Sequence, residues 1–113
     1  MSKVQHQYDA ARKAKHCDNM QQVREHIDAL DTQITALLVE RTGYMTEAAR
    51  IKQDPSKVYD QARIDFILAR VRAMAQAQGG QPDVVEAAYK ALIHASIEFE
   101  HREFARLRQG AQQ

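Results

Sequence analysis

The sequence predicts an all-α fold with three helices in the chain, the first unusually long, and three observations carry that expectation. Breakers are scarce, with four Gly and two Pro in 113 residues, which leaves room for long uninterrupted helices. Apolar residues recur at Val23, Ile27, Leu30, Ile34 and Leu37, the alternating four-and-three spacing of a helix face that packs on another helix. Nowhere does the chain alternate apolar and polar residues as a half-buried strand does, and it holds no internal repeat or low-complexity segment. The length suits one domain near the small end for an independent core.

In order along the chain, residues 1–18 are polar and without sustained period, and are expected to form a flexible arm. Asp18 or Asn19 suits the cap of the first helix, with Gln21 or Gln22 where a capping-box partner belongs. That helix is expected to run to about Gln53, where Asp54-Pro55-Ser56 stops it. At roughly 33 residues it is about 50 Å long, too long for a small globule to wrap, so a second chain is expected against it. After the short connection Lys57-Val58-Tyr59, a second helix is expected from about Asp60 to Gln78, with Ile64, Ile67, Leu68, Val71 and Met74 inward and Gly79-Gly80 ending it. Pro82 and Asp83 suit the first turn of a third helix running to about Arg108. Its inner stripe is Val85, Tyr89, Leu92, Ile93, Ser96, Ile97, Glu100, Phe104 and Leu107. The helical domain thus covers 19–108, and 109–113 form a polar tail.

Function is legible where the stripes are interrupted. Continuing the first helix's rhythm past Leu37 brings Arg41, Met45, Ala48 and Lys52, so the frame twice supplies a cation where a core residue is due. Arg41 and Lys52 fall within roughly 20° of each other, about three turns apart. On the third helix a hydroxyl, Ser96, and a carboxyl, Glu100, stand in the stripe. Cations facing an interior are costly unless an anion meets them. One reading is a buried structural salt bridge to Glu100, of the kind that also fixes register between helices. The other is a site for an anionic ligand, favoured by two cations against one carboxylate. Arg24 lies about 25 Å from Arg41 along the helix and roughly 100° round, so within one chain it cannot help hold the same small anion. If it is functional it serves a site belonging to another copy; otherwise it is an ordinary solvated arginine.

Composition narrows the classes. Sixteen basic against fifteen acidic side chains give a net charge of +1, which points to no nucleic-acid or anionic-membrane partner. The single Cys17 admits no internal disulfide and is expected to be a surface thiol. A cytoplasmic setting is expected, since no run has the length of a membrane span and the N-terminus has no apolar signal region. The five His show no metal-ligand spacing, and there is no glycine-rich phosphate loop.

The residues Arg24, Ile27-Asp28, Leu30-Asp31, Ile34, Leu37-Leu38 and Arg41, followed eleven positions later by Lys52, resemble the signature of the all-helical chorismate mutases of the AroQ class. The spacing of all three cations matches. Val58, Asp60 and Arg63 at the second helix, and Leu92-Ile93, Ser96 and Glu100 on the third, extend the likeness over about Asn19 to Arg108. The related isochorismate–pyruvate lyases are similar too, notably at Gly43-Tyr44 and Ala48-Ala49-Arg50-Ile51-Lys52. This resemblance implies an intertwined homodimer whose long first helices pair and whose active sites each borrow an arginine from the other subunit. It implies that Arg41 holds one substrate carboxylate and the second copy's Arg24 another, while Lys52 binds a carboxylate and the ether oxygen of the breaking bond. Ser96, Asp60, Arg63 and Ile64 would line the ring side. No cofactor or metal is implied, because the reaction is a unimolecular [3,3] rearrangement.

Two departures bear on that expectation. Glu100 stands where many bacterial mutases carry Gln, and must be protonated to donate to the ether oxygen. Ile64 stands where the mutases usually place a Glu for the ring hydroxyl, a position that also lacks an acid in the lyases. Three readings follow: a mutase acting on chorismate, a lyase giving salicylate and pyruvate from isochorismate, and a non-catalytic helical dimer or metabolite-binding regulatory domain.

Overall fold

A computed structural model of the chain describes residues 13–112. Most of the expected arm, residues 1–12, lies outside the described residues, and 13–18 carry no helix or strand. The described residues form helices α1 (Met20–Ile51), α2 (Gln61–Ala77) and α3 (Pro82–Gln112), with a 3₁₀ turn at Pro55–Lys57 and no strand. The fold is all-α, with a long first helix of 32 residues.

Two compact units divide between Ala36 and Leu37, inside α1. In the first, the start of α1 is fixed by polar side chains. Asn19 Oδ1 accepts the Gln22 N–H at 2.9 Å, while Gln22 Oε1 reaches back to the Asp18 N–H at 2.8 Å. The cap is therefore Asn19 and its reciprocal partner is Gln22. The apolar stripe on this stretch is largely solvent-facing in the single chain, with Ile27, Leu30 and Ile34 each about half exposed.

The second unit holds the end of α1, the 3₁₀ turn, α2 and α3. Asp54 caps the turn by accepting the Ser56 N–H at 2.9 Å, which holds its carboxyl below the usual range. Asp60 caps α2 through the Arg63 N–H at 3.1 Å. At the other end of α2, Gly79 takes φ 73°, and Gly80 and Gly79 donate to the carbonyls of Ala75 and Gln76. This is the left-handed stop that glycine permits without a Cβ penalty. The short connection folds α3 back antiparallel to α2, and Arg72 bridges to Glu86 across the pair at 3.0 Å. Ala49, Val58, Val71, Ala75 and Ile93 form the core, and among the described residues no large side chain is fully buried. Ile64, Ile67, Leu68 and Met74 on α2 and Val85, Tyr89, Leu92, Ile97, Phe104 and Leu107 on α3 are half-buried, on the inward stripes expected of them.

The ends of two helices differ from expectation. α1 stops at Ile51 rather than Gln53, within the ordinary fraying of a helix end. α3 continues past Arg108 to Gln112, so most of the expected tail is helical. Gly110 is not in the left-handed conformation that stops α2 at Gly79. A helical glycine alone costs only about 1 kcal/mol.

Candidate functional site

The interruptions of the two stripes meet in the second unit. The side-chain links Arg41–Ser96, Thr46–Glu103 and Arg108 to the Ala49 carbonyl advance together along α1 and α3, so the two helices run in the same sense. Lys52 Nζ donates to Glu100 Oε2 at 2.7 Å, and Glu100 is 4% exposed. Arg41 Nη1 donates to Ser96 Oγ at 2.9 Å, and that hydroxyl donates in turn to the Leu92 carbonyl one helical turn back. Ser96 is buried because its own helix takes its proton and Arg41 takes its lone pair. Among the described residues, no buried side-chain nitrogen or oxygen lacks a partner.

Beside these groups is a cavity of about 300 Å³. Met45, Ala48, Val58, Ile64, Ile67, Ile93 and Ile97 form its apolar walls, and Lys52, Asp60, Arg63, Ser96 and Glu100 supply its polar ones. A mostly apolar pocket with a few converging polar groups is the usual form of a small-molecule site. Lys52 is neutralised by Glu100, whereas Arg41 meets only a neutral hydroxyl and makes no ion pair among the described residues. The structure therefore contains the expected salt bridge to Glu100, made by Lys52, and beside it a second cation, Arg41, with no ion pair among the described residues.

Of the residues singled out from sequence, Lys52, Asp60, Arg63, Ile64, Ser96 and Glu100 line this one cavity, and Arg41 joins it through Ser96. Asp60 spends one carboxylate oxygen on capping α2. Arg63 is exposed, with its guanidinium 5.3 Å from the Phe66 ring centroid. Arg24 belongs to the first unit, where it is exposed and has no hydrogen-bond or ion-pair partner among the described residues. Cys17 is partly exposed, its thiol 3.5 Å from the Lys15 carbonyl. His94 faces Glu98 at 3.6 Å on the surface, and no group of three or more potential metal ligands exists among the described residues. No helix among them is long and apolar enough to cross a membrane.

Sequence reasoning passed over two features of the α1–α3 seam. Glu103 accepts from Thr46 Oγ1 at 2.8 Å and from Arg106 Nε at 2.6 Å, and these bonds, Arg106's first, pull its carboxyl down to about 2. Arg108 binds backbone carbonyls at the end of α1. Glu103 lies on the face of the inner stripe, three residues after Glu100 and four before Leu107, so its spacing was a usable signal; Arg108 sits at the stripe's edge, where a charged side chain has the pattern of solvated surface.

Comparison with known families matches residues 23–101 to chorismate mutase type II. The matched span includes every candidate site residue named above and ends before Glu103 and Arg108. No curated protein matches the chain.

Proposed function

Starting from the chain's membership of the chorismate mutase type II family, we propose that it rearranges chorismate to prephenate without cofactor. The observation that carries this reading is the meeting of Arg41, Lys52, Ser96 and Glu100 beside one cavity of about 300 Å³. In the reaction the ether C–O bond breaks as a new C–C bond forms within the same molecule, so no nucleophile or external proton is needed. What the protein supplies is a grip that holds the substrate in a compact near-attack shape, and a donor for the charge growing on the ether oxygen.

Arg41, which makes no ion pair among the described residues, takes one substrate carboxylate. Lys52 takes the other carboxylate and the ether oxygen, exchanging its contact with Glu100 for the substrate. Glu100, protonated in the reacting complex, is the second donor to that oxygen, because an ionised carboxylate would repel the developing charge. Ser96, Asp60, Arg63 and Ile64 border the ring. With Glu100 neutral, Arg41 and Lys52 match the charge of the dianion, and Arg24 of a second copy adds a further donor to a substrate carboxylate. A homodimer is supported by the half-exposed stripe of Ile27, Leu30 and Ile34, which a second α1 would cover.

One observation favours a second reading. Ile64 in the cavity wall leaves the ring side without the acid that mutases usually place there, as in the isochorismate–pyruvate lyases. Purified protein incubated separately with chorismate and isochorismate tests both. Prephenate from the first supports the mutase; salicylate with pyruvate from the second alone supports the lyase. Absence of either product, with no thermal stabilisation by the two dianions, would leave a non-catalytic helical dimer.

A further inference from the structure

The residue that carries the ammonium of the cavity is also the residue at which α1 ends. The last carbonyls of a helix have no partner inside it, and the Lys52 N–H makes the final bond, to the Ala48 carbonyl at 2.9 Å. Beyond Lys52 the chain turns away toward Asp54-Pro55. A side chain anchored at such an end inherits whatever freedom the end has.

Arg108 on α3 removes that freedom. Its Nη1 donates to the Ala49 carbonyl at 2.5 Å and its Nη2 to the Lys52 carbonyl. The guanidinium carbon lies 3.8 Å from the Phe104 ring centroid, so the fork is stacked on its own helix while it reaches α1. A cation is also favourable at a helix C-terminus. About two turns earlier on α3, Glu100 meets the Lys52 ammonium. One helix therefore holds Lys52 twice, by its backbone and by the tip of its side chain.

We infer that Arg108 is a positioning residue: by gripping the Ala49 and Lys52 carbonyls it sets where the Lys52 ammonium stands in the cavity. Ala49 is fully buried, so its carbonyl depends on the guanidinium, while the half-buried Lys52 leaves its own carbonyl nearer to water. What the guanidinium adds is a fixed geometry between α1 and α3. The residue lies outside the span matched to the family. Its kinetic consequence rests on the catalytic reading above; the hold on α1 does not.

The test compares wild type with Arg108→Ala and Arg108→Lys in the full chain, by amide hydrogen exchange and by steady-state kinetics on whichever of chorismate or isochorismate the wild type consumes. In Arg108→Ala the Lys52 amide should exchange about tenfold faster while the amides of α2 are unchanged, since opening is local. The value of kcat/KM should fall about tenfold, short of the roughly 100-fold that a 1 Å misplacement can cost. That fall should divide between a higher KM and a lower kcat, because Lys52 is assigned both a ground-state carboxylate and the ether oxygen. Arg108→Lys, with one nitrogen for two carbonyls, should lie between, and it carries the test if the alanine variant does not fold. A merely structural role would shrink the active fraction, lowering kcat with KM unchanged; that result, or unaltered exchange at Lys52, overturns the inference. Should the wild type consume neither substrate, the catalytic reading fails and the exchange data alone decide whether Arg108 holds α1.

Discussion

Lys52→Met asks what the buried pair contributes when catalysis is set aside. Removing the ammonium leaves the Glu100 carboxylate 4% exposed with its ion-pair partner gone. Breaking a buried pair by deleting one partner costs about 3–5 kcal/mol. The Lys52 side chain is 30% exposed, so water reaches that end of the pair. The loss should therefore sit at the lower end, about 3 kcal/mol. For a chain of this size that is a fall in Tm of about 12 °C. Lys52→Met/Glu100→Leu removes both charges and fills the space with apolar atoms, a replacement that is often neutral or stabilising by about 1–4 kcal/mol. The double variant should then recover wild-type stability, although neither variant retains turnover. Urea unfolding at one fixed protein concentration is the assay. A single variant within about 0.5 kcal/mol of wild type, or a double variant no more stable than the single, would show that the pair is not the buried charge reasoned from here.

Mixing Arg24→Ala chains with Lys52→Ala chains should restore about a quarter of wild-type activity, since half the pairs are then mixed and each has one intact site; no recovery despite confirmed subunit exchange sinks the shared site. Ile64→Glu should raise mutase turnover by offering the ring hydroxyl an acceptor, and a folded variant with unchanged or lower turnover counts against Ile64 facing the ring. Glu100→Gln, a permanent donor of nearly the same shape, should keep or raise kcat/KM on chorismate, whereas Glu100→Leu, which cannot donate, should lower it about 100-fold. Equal kcat/KM in the two variants would remove Glu100 from its role. Glu103, held at about 2 against an ordinary 4.5, contributes stability that is fully present above pH 4.5 and disappears as pH falls toward 2. Urea midpoints across that window should drop more steeply for wild type than for Glu103→Gln, and parallel curves would refute the assignment.

The periodic part of this architecture was legible because burial and spacing are the same information. Arg41, Lys52, Ser96 and Glu100 stood out as polar residues at stripe positions, and the structure sets all four at the junction of α1 and α3. The cap at Asn19 and the stop at Gly79 were legible for local reasons, since each is decided by a few adjacent residues. Pairing was not. Periodicity marks Arg41 and Lys52 as candidates for Glu100, but which cation takes the carboxylate depends on the approach of two helices separated by dozens of residues. Glu103 carried the same signal as Glu100, a carboxyl at stripe spacing; Arg108 gave none, because its partners are main-chain carbonyls on another helix. The third helix outran its expected end because a glycine stops a helix only where the backbone turns left-handed, and composition alone does not say where that happens.

The thinness of the core has a consequence for how much protein is needed. Small side chains such as Ala49 and Ala75 provide much of the interior, while Ile27, Leu30, Ile34 and Leu37 stay about half exposed in the single chain. Apolar surface left in water contributes little at about 25 cal/mol per Å², and ordering each residue costs about 1–2 kcal/mol. In the homodimer proposed above the missing burial comes from a second copy, so acquiring structure and finding a partner become one equilibrium governed by mass action. The melting temperature of such a homodimer rises with concentration, and dilution alone unfolds it.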